Sequence, residues 1–211
     1  ILQDPAYQRR LALKSNYALV VDESTGARVY SKNATARTPI ASLTKLMTAM
    51  VVLDAKLPMD TRITITKDDF DRLRGTSSRL QAGVTLTRRE LLHLALMSSE
   101  NRAASALARS YPGGRSAFIT AMNHKARTLG LRNTNYADST GLDGRNVSTA
   151  EDMAKIVRAA SGYATIKEYT TSPSRLQPTK YSAHPLEYKN TNPLVRKPEW
   201  DIAVSKTGYI S

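Results

Sequence analysis

The feature that most constrains this 211-residue chain is the stretch from Ser42 to Leu53, which predicts a helix with apolar residues on nearly every side. Such a helix gains stability only where all of its sides pack against other elements, so it belongs in the centre of a protein. The one charged side chain in the stretch is Lys45. We therefore expect the chain to fold around this helix, with an ammonium group inside its core.

Strand patterns lie towards the two ends of the chain. Tyr17 to Asp22 and Ala27 to Ser31 are β-rich, and the turn residues Glu23 to Gly26 between them predict a hairpin. Ile202 to Ile210 is again strand-like, after a segment in which five prolines break any periodicity. Thr61 to Thr66 alternates Ile with Thr and Arg and predicts one more short strand.

The middle of the chain, from about residue 42 to residue 160, is predicted to be helical. Thr87 to Glu90 and Ser148 to Glu151 match the capping-box pattern, so a helix should begin at each of them. Further helices are predicted from Asn101 to about Arg109 and from Ser116 to Leu129.

This order of strands, helices and strands favours an α+β fold. We expect residues 1–211 to form a single domain. In it, an antiparallel sheet of the N- and C-terminal strands, at about 17–31 and 202–210, would pack against the helical region. No apolar stretch reaches the ~18 residues needed to span a bilayer, and the first residues lack a signal-peptide pattern, so the sequence is interpreted as a mature chain.

Composition narrows the possible functions. A net charge of +13 favours a polyanionic partner, but no basic helix or aromatic–basic RNA motif accompanies it, so nucleic acid is not expected. The absence of cysteine rules out disulfides, thiolate catalysis and zinc–cysteine sites. His93, His124 and His184 have no metal-ligand spacing and are interpreted as structural or surface residues.

Ser42 and Lys45 place a hydroxyl at the start of the buried helix and an ammonium one turn later on the same face. No carboxylate lies near Lys45 along the helix, so desolvation should lower its pKa. A neutral amine there could take the Ser42 proton, and the helix N-terminus could stabilise an oxyanion. The alternative is that Ser42 is a simple N-cap and Lys45 extends to solvent.

Two further motifs carry polar groups. Ser99-Glu100-Asn101 falls at the predicted break between two helices, where its side chains could enter a cleft or could simply cap the helices. Lys206-Thr207-Gly208 falls on the predicted last strand, where the glycine would let a helix or a substrate approach closely. An edge-strand lysine followed by a bulge glycine is the alternative there.

Together, in this order, the three motifs form the set found in β-lactamases and penicillin-binding proteins. The chain resembles the low-molecular-mass penicillin-binding D-alanyl-D-alanine peptidases of the serine β-lactamase-like superfamily, especially their small endopeptidase-like branch. Pro39 to Met50 and Ala137 to Leu142 also look like that family. The resemblance extends from about Tyr17 to Ile210.

The resemblance implies roles for five polar side chains. Ser42 would be acylated, with Lys45 as its general base. Ser99 would relay a proton to the leaving amine, and Asn101 would hold both the substrate amide and Lys45. Lys206 would keep the site cationic and so depress the pKa of Lys45.

The resemblance also implies how the substrate is bound. Thr207 would bind the carboxylate beside the scissile bond, and Gly208 would line the site next to it. The backbone N–H groups of Ser42 and Tyr209 would form the oxyanion hole. No metal or organic cofactor is implied, because serine, lysine and backbone donors suffice for acyl transfer.

The activity implied is that of a serine D,D-peptidase acting on peptidoglycan peptide stems in the periplasm or outside the membrane, with β-lactams as covalent inhibitors. The motifs do not separate an endopeptidase, which cuts D-alanyl–diaminopimelate cross-links, from a carboxypeptidase. The resemblance favours the endopeptidase. A basic surface suits an acidic cell-wall polymer.

Two other functions compete with this one. A class A β-lactamase shares the motifs but needs a glutamate to activate the deacylating water, and Asn135 to Asn146 contains Asp138 and Asp143 but no glutamate. Penicillins should therefore inhibit this protein and not be destroyed by it. A non-catalytic module that binds β-lactams or wall polymer is the second alternative, although all the catalytic groups are present.

The chain departs from the family at its C-terminus. The family completes its sheet with strands and a helix after the Lys-Thr-Gly strand, whereas this sequence stops at Ser211. We expect it to be a C-terminally truncated form, because an unpaired central strand would expose a row of backbone donors and acceptors.

Overall fold

The helix predicted from Ser42 to Leu53 lies at the centre of the fold, as its composition requires. In the computed structural model, which describes residues 13–178, 184–197 and 199–209, it is a 3₁₀ turn, Ala41–Leu43, followed by helix α1, Thr44–Asp54. Every residue from Thr44 to Val52 is buried, Lys45 included. The core of the protein is built around this helix.

Five further helices in the described part of the chain complete the helical region. They are α2 (Arg88–Met97), α3 (Asn101–Arg109), α4 (Gly114–Thr128), α5 (Ala150–Ser161) and α6 (Ala164–Thr171). All five pack against α1. The helices predicted from the sequence are confirmed to within two residues at each end, whereas α6 lies beyond the predicted limit of the helical region.

One predicted capping box is confirmed and the other is displaced by a residue. At the start of α2, Thr87 Oγ1 accepts the backbone N–H of Glu90 at 3.2 Å, and Glu90 Oε2 accepts that of Thr87 at 2.8 Å. At the start of α5 the capping residue is Thr149, not Ser148. Ser148 lies in a strand and its hydroxyl is bonded to that of Thr134 at 2.8 Å, so the helix begins one residue later.

Within the residues that the structure describes, the strands pair as four small antiparallel sheets. The predicted hairpin is confirmed as β1 (Ala18–Val21) with β2 (Arg28–Lys32), in a register that places Ala18 opposite Lys32. The other pairs are β3 (Thr38–Pro39) with β6 (Val147–Ser148), β4 (Arg62–Thr64) with β5 (Thr85–Thr87), and β7 (Ser174–Gln177) with β8 (Leu186–Lys189). Pro173 and Pro178 flank β7 and so do not interrupt its pairing with β8.

The prediction of a C-terminal strand is wrong for all the residues of that segment that the structure describes. Residues 202–209 form no strand and pair with no other, and Ile210 lies outside the described residues. The expected sheet of N- and C-terminal strands is therefore not formed in the described part of the chain, where β1 pairs with β2 alone. This segment is held by side-chain contacts instead, among them a hydrogen bond of 3.0 Å from Asn192 Nδ2 to Ser205 Oγ.

Across the part of the chain that the structure describes, no helix combines the length and the apolar character needed to cross a membrane.

Candidate active site

The buried ammonium of Lys45 is the centre of the candidate site. Its Nζ donates hydrogen bonds to Ser42 Oγ at 2.9 Å, to Asn101 Oδ1 at 2.8 Å and to the Thr140 carbonyl at 2.7 Å. These acceptors take all three ammonium protons, and none of them is a carboxylate. The alternative in which Lys45 extends to solvent is wrong, since the residue is 1 % exposed.

This environment destabilises the charge on Lys45. Burial first, and the positive charge of Lys206 second, hold the pKa of Lys45 well below its usual range, while Asp138 and Glu100 oppose the shift. The expectation that desolvation lowers this pKa is thus supported by where the side chain lies. A neutral amine at this position can accept the proton of Ser42.

Ser42 lies in the 3₁₀ turn immediately before α1, where a neighbouring loop supports it. Ala41 has a positive φ of 44°, and Gly141 of the opposing loop has a φ of +87°. A Cβ at Gly141 would lie 1.8 Å from the Ala41 carbonyl oxygen, so only glycine permits this approach. The same loop presents the Thr140 carbonyl to Lys45.

The break between α2 and α3 falls where the sequence predicts it, and Ser99 and Asn101 contact the two lysines of the site from there. Ser99 has a φ of 59°, which turns the chain between the helices. The cap of α3 is Glu100, whose Oε1 accepts the backbone N–H of Arg102 at 3.2 Å. Because Glu100 caps the helix, the side chains of Ser99 and Asn101 are available to the site.

Lys206 joins the site from the other end of the chain. Its Nζ donates to Ser99 Oγ and to the Thr207 carbonyl, both at 3.0 Å. Burial lowers the pKa of Lys206 to about 7. Two lysines with depressed pKa values thus contact the helix break, Lys45 at Asn101 and Lys206 at Ser99.

The three residues after Lys206 are the remaining ones that the sequence predicts in the site. Thr207 Oγ1 donates to Thr191 Oγ1 at 2.6 Å. A Cβ at Gly208 would meet the Ile40 carbonyl at 3.4 Å, an ordinary contact, so the close approach predicted to require this glycine is not seen. Tyr209 is 86 % exposed, and the role predicted for its backbone N–H in the oxyanion hole stays a prediction.

Sequence reasoning missed two contacts of the site. The Thr140 carbonyl accepts directly from Lys45 Nζ. The Thr76 hydroxyl accepts from Asn101 Nδ2 at 3.1 Å and is thus linked to Lys45 through the Asn101 side chain. Neither belongs to a recognisable motif, although Thr140 lies in the loop that resembles the family. A cleft of about 380 Å³ is lined by Asn101 and Thr140, but Ser42 and Lys45 are not among its lining residues.

The three histidines are structural or surface residues, as predicted. The ring of His93 is buried and stacks on Tyr169 with ring centroids 4.2 Å apart, whereas His124 and His184 are exposed. None of them lies among the residues that contact Lys45.

Solved structures with this architecture define the class of fold. The chain superposes on a Streptomyces DD-transpeptidase with a TM-score of 0.80 and 33 % identity, over 93 % of this chain and 82 % of that one. A penicillin-binding protein homologue of Mycobacterium tuberculosis gives a TM-score of 0.81 at 28 % identity, over 93 % and 73 % of the two chains. The α+β fold of penicillin-binding proteins and serine β-lactamases is thereby confirmed.

Sequence comparison gives the family. Residues 4–211 match the D-alanyl-D-alanine carboxypeptidase family, and the chain belongs to it. It is 46 % identical to the D-alanyl-D-alanine endopeptidase of Pseudomonas aeruginosa and 43 % identical to that of Escherichia coli, each over 197 residues and 93 % of this chain. The chain spans 64 % of the length of each of these two relatives.

Proposed function

We propose that this protein is a serine D,D-peptidase that cuts D-alanyl bonds of peptidoglycan through an acyl-enzyme formed on Ser42. The observation that carries the proposal is the buried Lys45, hydrogen-bonded to Ser42 Oγ at 2.9 Å with no carboxylate among its partners. Burial favours the neutral amine that a general base requires. A non-catalytic binding module would have no need for this costly arrangement.

The proposed reaction gives each group one step. Neutral Lys45 takes the Ser42 proton while Ser42 Oγ attacks the D-alanyl carbonyl carbon, and the backbone N–H groups of Ser42 and Tyr209 would receive the oxyanion. Collapse of the adduct breaks the C–N bond, and the proton passes through Ser99 to the leaving amine. Water then attacks the ester, which releases the acyl product and restores the Ser42 hydroxyl.

Lys206, Asn101 and Thr207 complete the proposed roles. Lys206 donates to Ser99 Oγ and so can polarise the proton-relay hydroxyl. Asn101 holds Lys45 through its Oδ1 and can donate an N–H to the substrate amide. Thr207, at the solvent-accessible edge with Gly208, would bind the substrate carboxylate.

We propose an endopeptidase and keep the carboxypeptidase as the alternative. The relatives that are 41–46 % identical are named D-alanyl-D-alanine endopeptidases. Those at 28–32 % identity are named carboxypeptidases. The chain therefore resembles the endopeptidases more closely in sequence, and the net charge of +13 suits an acidic wall polymer outside the cytoplasmic membrane.

We propose that β-lactams acylate Ser42 and that the resulting acyl-enzyme is hydrolysed slowly. The two acidic residues of the segment where a β-lactamase would need its glutamate are both engaged. Asp138 accepts the Thr140 hydroxyl at 2.6 Å and the Gly141 N–H at 2.8 Å. Asp143 is paired with Arg145 at 2.6 Å. Both carboxylates already hold other groups and neither is a glutamate, so a β-lactamase is the weaker candidate.

The test is digestion of purified muropeptides, with cross-linked dimers and pentapeptide monomers incubated in parallel and resolved by mass. We expect dimers to be converted to monomers. Loss of the terminal D-alanine alone would make the protein a carboxypeptidase. Dimers and pentapeptides that both stay intact would contradict the proposed peptidase.

A further inference from the structure

The loop from Asp71 to Thr76 is closed by a single carboxylate beside the candidate site. Asp71 Oδ1 accepts the backbone N–H groups of Leu73 at 2.8 Å and Arg74 at 3.0 Å. Asp71 Oδ2 accepts the backbone N–H of Thr76 at 2.7 Å and its hydroxyl at 2.8 Å. Partial burial raises the pKa of Asp71, but these backbone hydrogen bonds outweigh it and lower the pKa to about 2. Asp71 is therefore an anion at neutral pH.

The charge of Asp71 sets the direction of the next hydrogen bonds. An ionised carboxylate only accepts, so the Thr76 hydroxyl must donate its one proton to Asp71. Thr76 Oγ1 can then only accept from its other neighbour, Asn101, which lies 3.1 Å away. Asn101 must accordingly turn its NH₂ group towards Thr76. Its carbonyl oxygen then faces the Lys45 ammonium at 2.8 Å.

We propose that Asp71 and Thr76 are positioning residues that fix which way the side-chain amide of Asn101 faces. They touch no reacting atom and act through Asn101 alone. The amide they orient accepts from Lys45 with its oxygen and keeps its second N–H free for a substrate carbonyl. This inference rests on the proposed function and assigns a role to a loop that carries none of the three motifs.

Loss of the Thr76 hydroxyl has two linked consequences. Without it, Asn101 can rotate about its terminal bond and donate an N–H to the lone pair of neutral Lys45. A donor facing a cation disfavours the charged form, so the pKa of Lys45 falls further. The same rotation removes the N–H that would hold the substrate, so acylation slows although the base is more often neutral.

The test is the second-order rate of acylation by a fluorescent penicillin, measured across pH for the unmutated protein and Thr76→Val. We expect the variant to react about tenfold more slowly, the effect of one lost hydrogen bond to an active-site group. The acid limb of its pH profile should move to lower pH. Thr76→Ser, which restores the hydroxyl, should restore both the rate and the limb.

Thr64→Val is the matched control, because it removes a threonine hydroxyl bonded at 2.8 Å to that of Thr85 on the β4–β5 pair. Its rate and pH profile should equal those of the unmutated protein.

Asp71→Asn provides a second test should Thr76→Val fold poorly. An amide nitrogen facing Thr76 would no longer accept its backbone N–H and would donate to its hydroxyl. This reverses the hydrogen-bond chain, so we expect the same slowing and the same shift.

The proposal is overturned if Thr76→Val and Asp71→Asn both keep the rate of the unmutated protein. It is also overturned if they react slowly but the acid limb of their pH profile does not move, because a purely structural defect would have that effect. These outcomes leave the proposed function intact, because the unmutated protein is still acylated. An unmutated protein that no penicillin acylates would instead overturn the proposed function and this inference with it.

Discussion

Replacing Ser42 with Ala is expected to lower kcat/KM for cleavage of a D-alanyl peptide by at least ~10³-fold. The hydroxyl is the proposed nucleophile, and no other hydroxyl is hydrogen-bonded to Lys45 in the described part of the chain. Without the nucleophile, binding and oxyanion stabilisation alone remain, and these give only residual catalysis. The measurement is hydrolysis of a cross-linked muropeptide dimer followed by chromatography.

Ser161→Ala is the control for this change. Ser161 ends helix α5 and its hydroxyl donates to the Arg158 carbonyl at 2.8 Å on an exposed surface. We expect its activity to match that of the unmutated protein. A Ser42→Ala variant that retained cleavage would show that another group forms the acyl-enzyme, or that none forms at all.

Replacing Lys206 with Met is expected to slow acylation at neutral pH by at least about 100-fold and to change the shape of its pH profile. Burial is the first cause of the lowered pKa of Lys45, and the charge of Lys206 is the second. Removing that charge raises the pKa of Lys45. Because the base must be neutral, the acid limb of the profile should move to higher pH.

The alkaline side of the profile gives an independent check. The pKa of Lys206 is lowered to about 7 by burial, so its charge is lost as the pH rises through that value. If the cation assists acylation, the unmutated protein loses rate near pH 7, and Lys206→Met should lack this limb. Lys206→Arg keeps a cation that does not titrate and should hold the acid limb at its unmutated position. Identical profiles for Lys206→Met and the unmutated protein would contradict the coupling.

Much of the site could be predicted from local sequence because its geometry is local. Ser42 and Lys45 are one helical turn apart, so their contact follows from the spacing, and the apolar neighbours predict the burial. The break that exposes Ser99 and Asn101 is likewise set by residues next to it in the chain. The capping box at Thr87 depends on a contact over three residues and was also predictable.

The contacts that were missed join distant parts of the chain through groups without a sequence signature. Thr140 binds Lys45 through a backbone carbonyl, which every residue carries, so the resemblance of its segment to the family did not point to this contact. Thr76 resembles any loop threonine in the sequence, and its role depends on the hydrogen bond of its hydroxyl to Asp71, which the sequence does not reveal. The strand predicted at residues 202–209 was wrong because a strand depends on a hydrogen-bonded neighbour, which local composition cannot supply.

The most direct test of the acyl-enzyme on Ser42 is the intact mass of the protein after brief exposure to benzylpenicillin, followed by peptide mapping. β-Lactam opening adds the whole inhibitor and releases no leaving group. We therefore expect a mass increase equal to one penicillin molecule, persistent over minutes and located on the peptide that contains Ser42. An unchanged mass, or an adduct on another residue, would contradict the account.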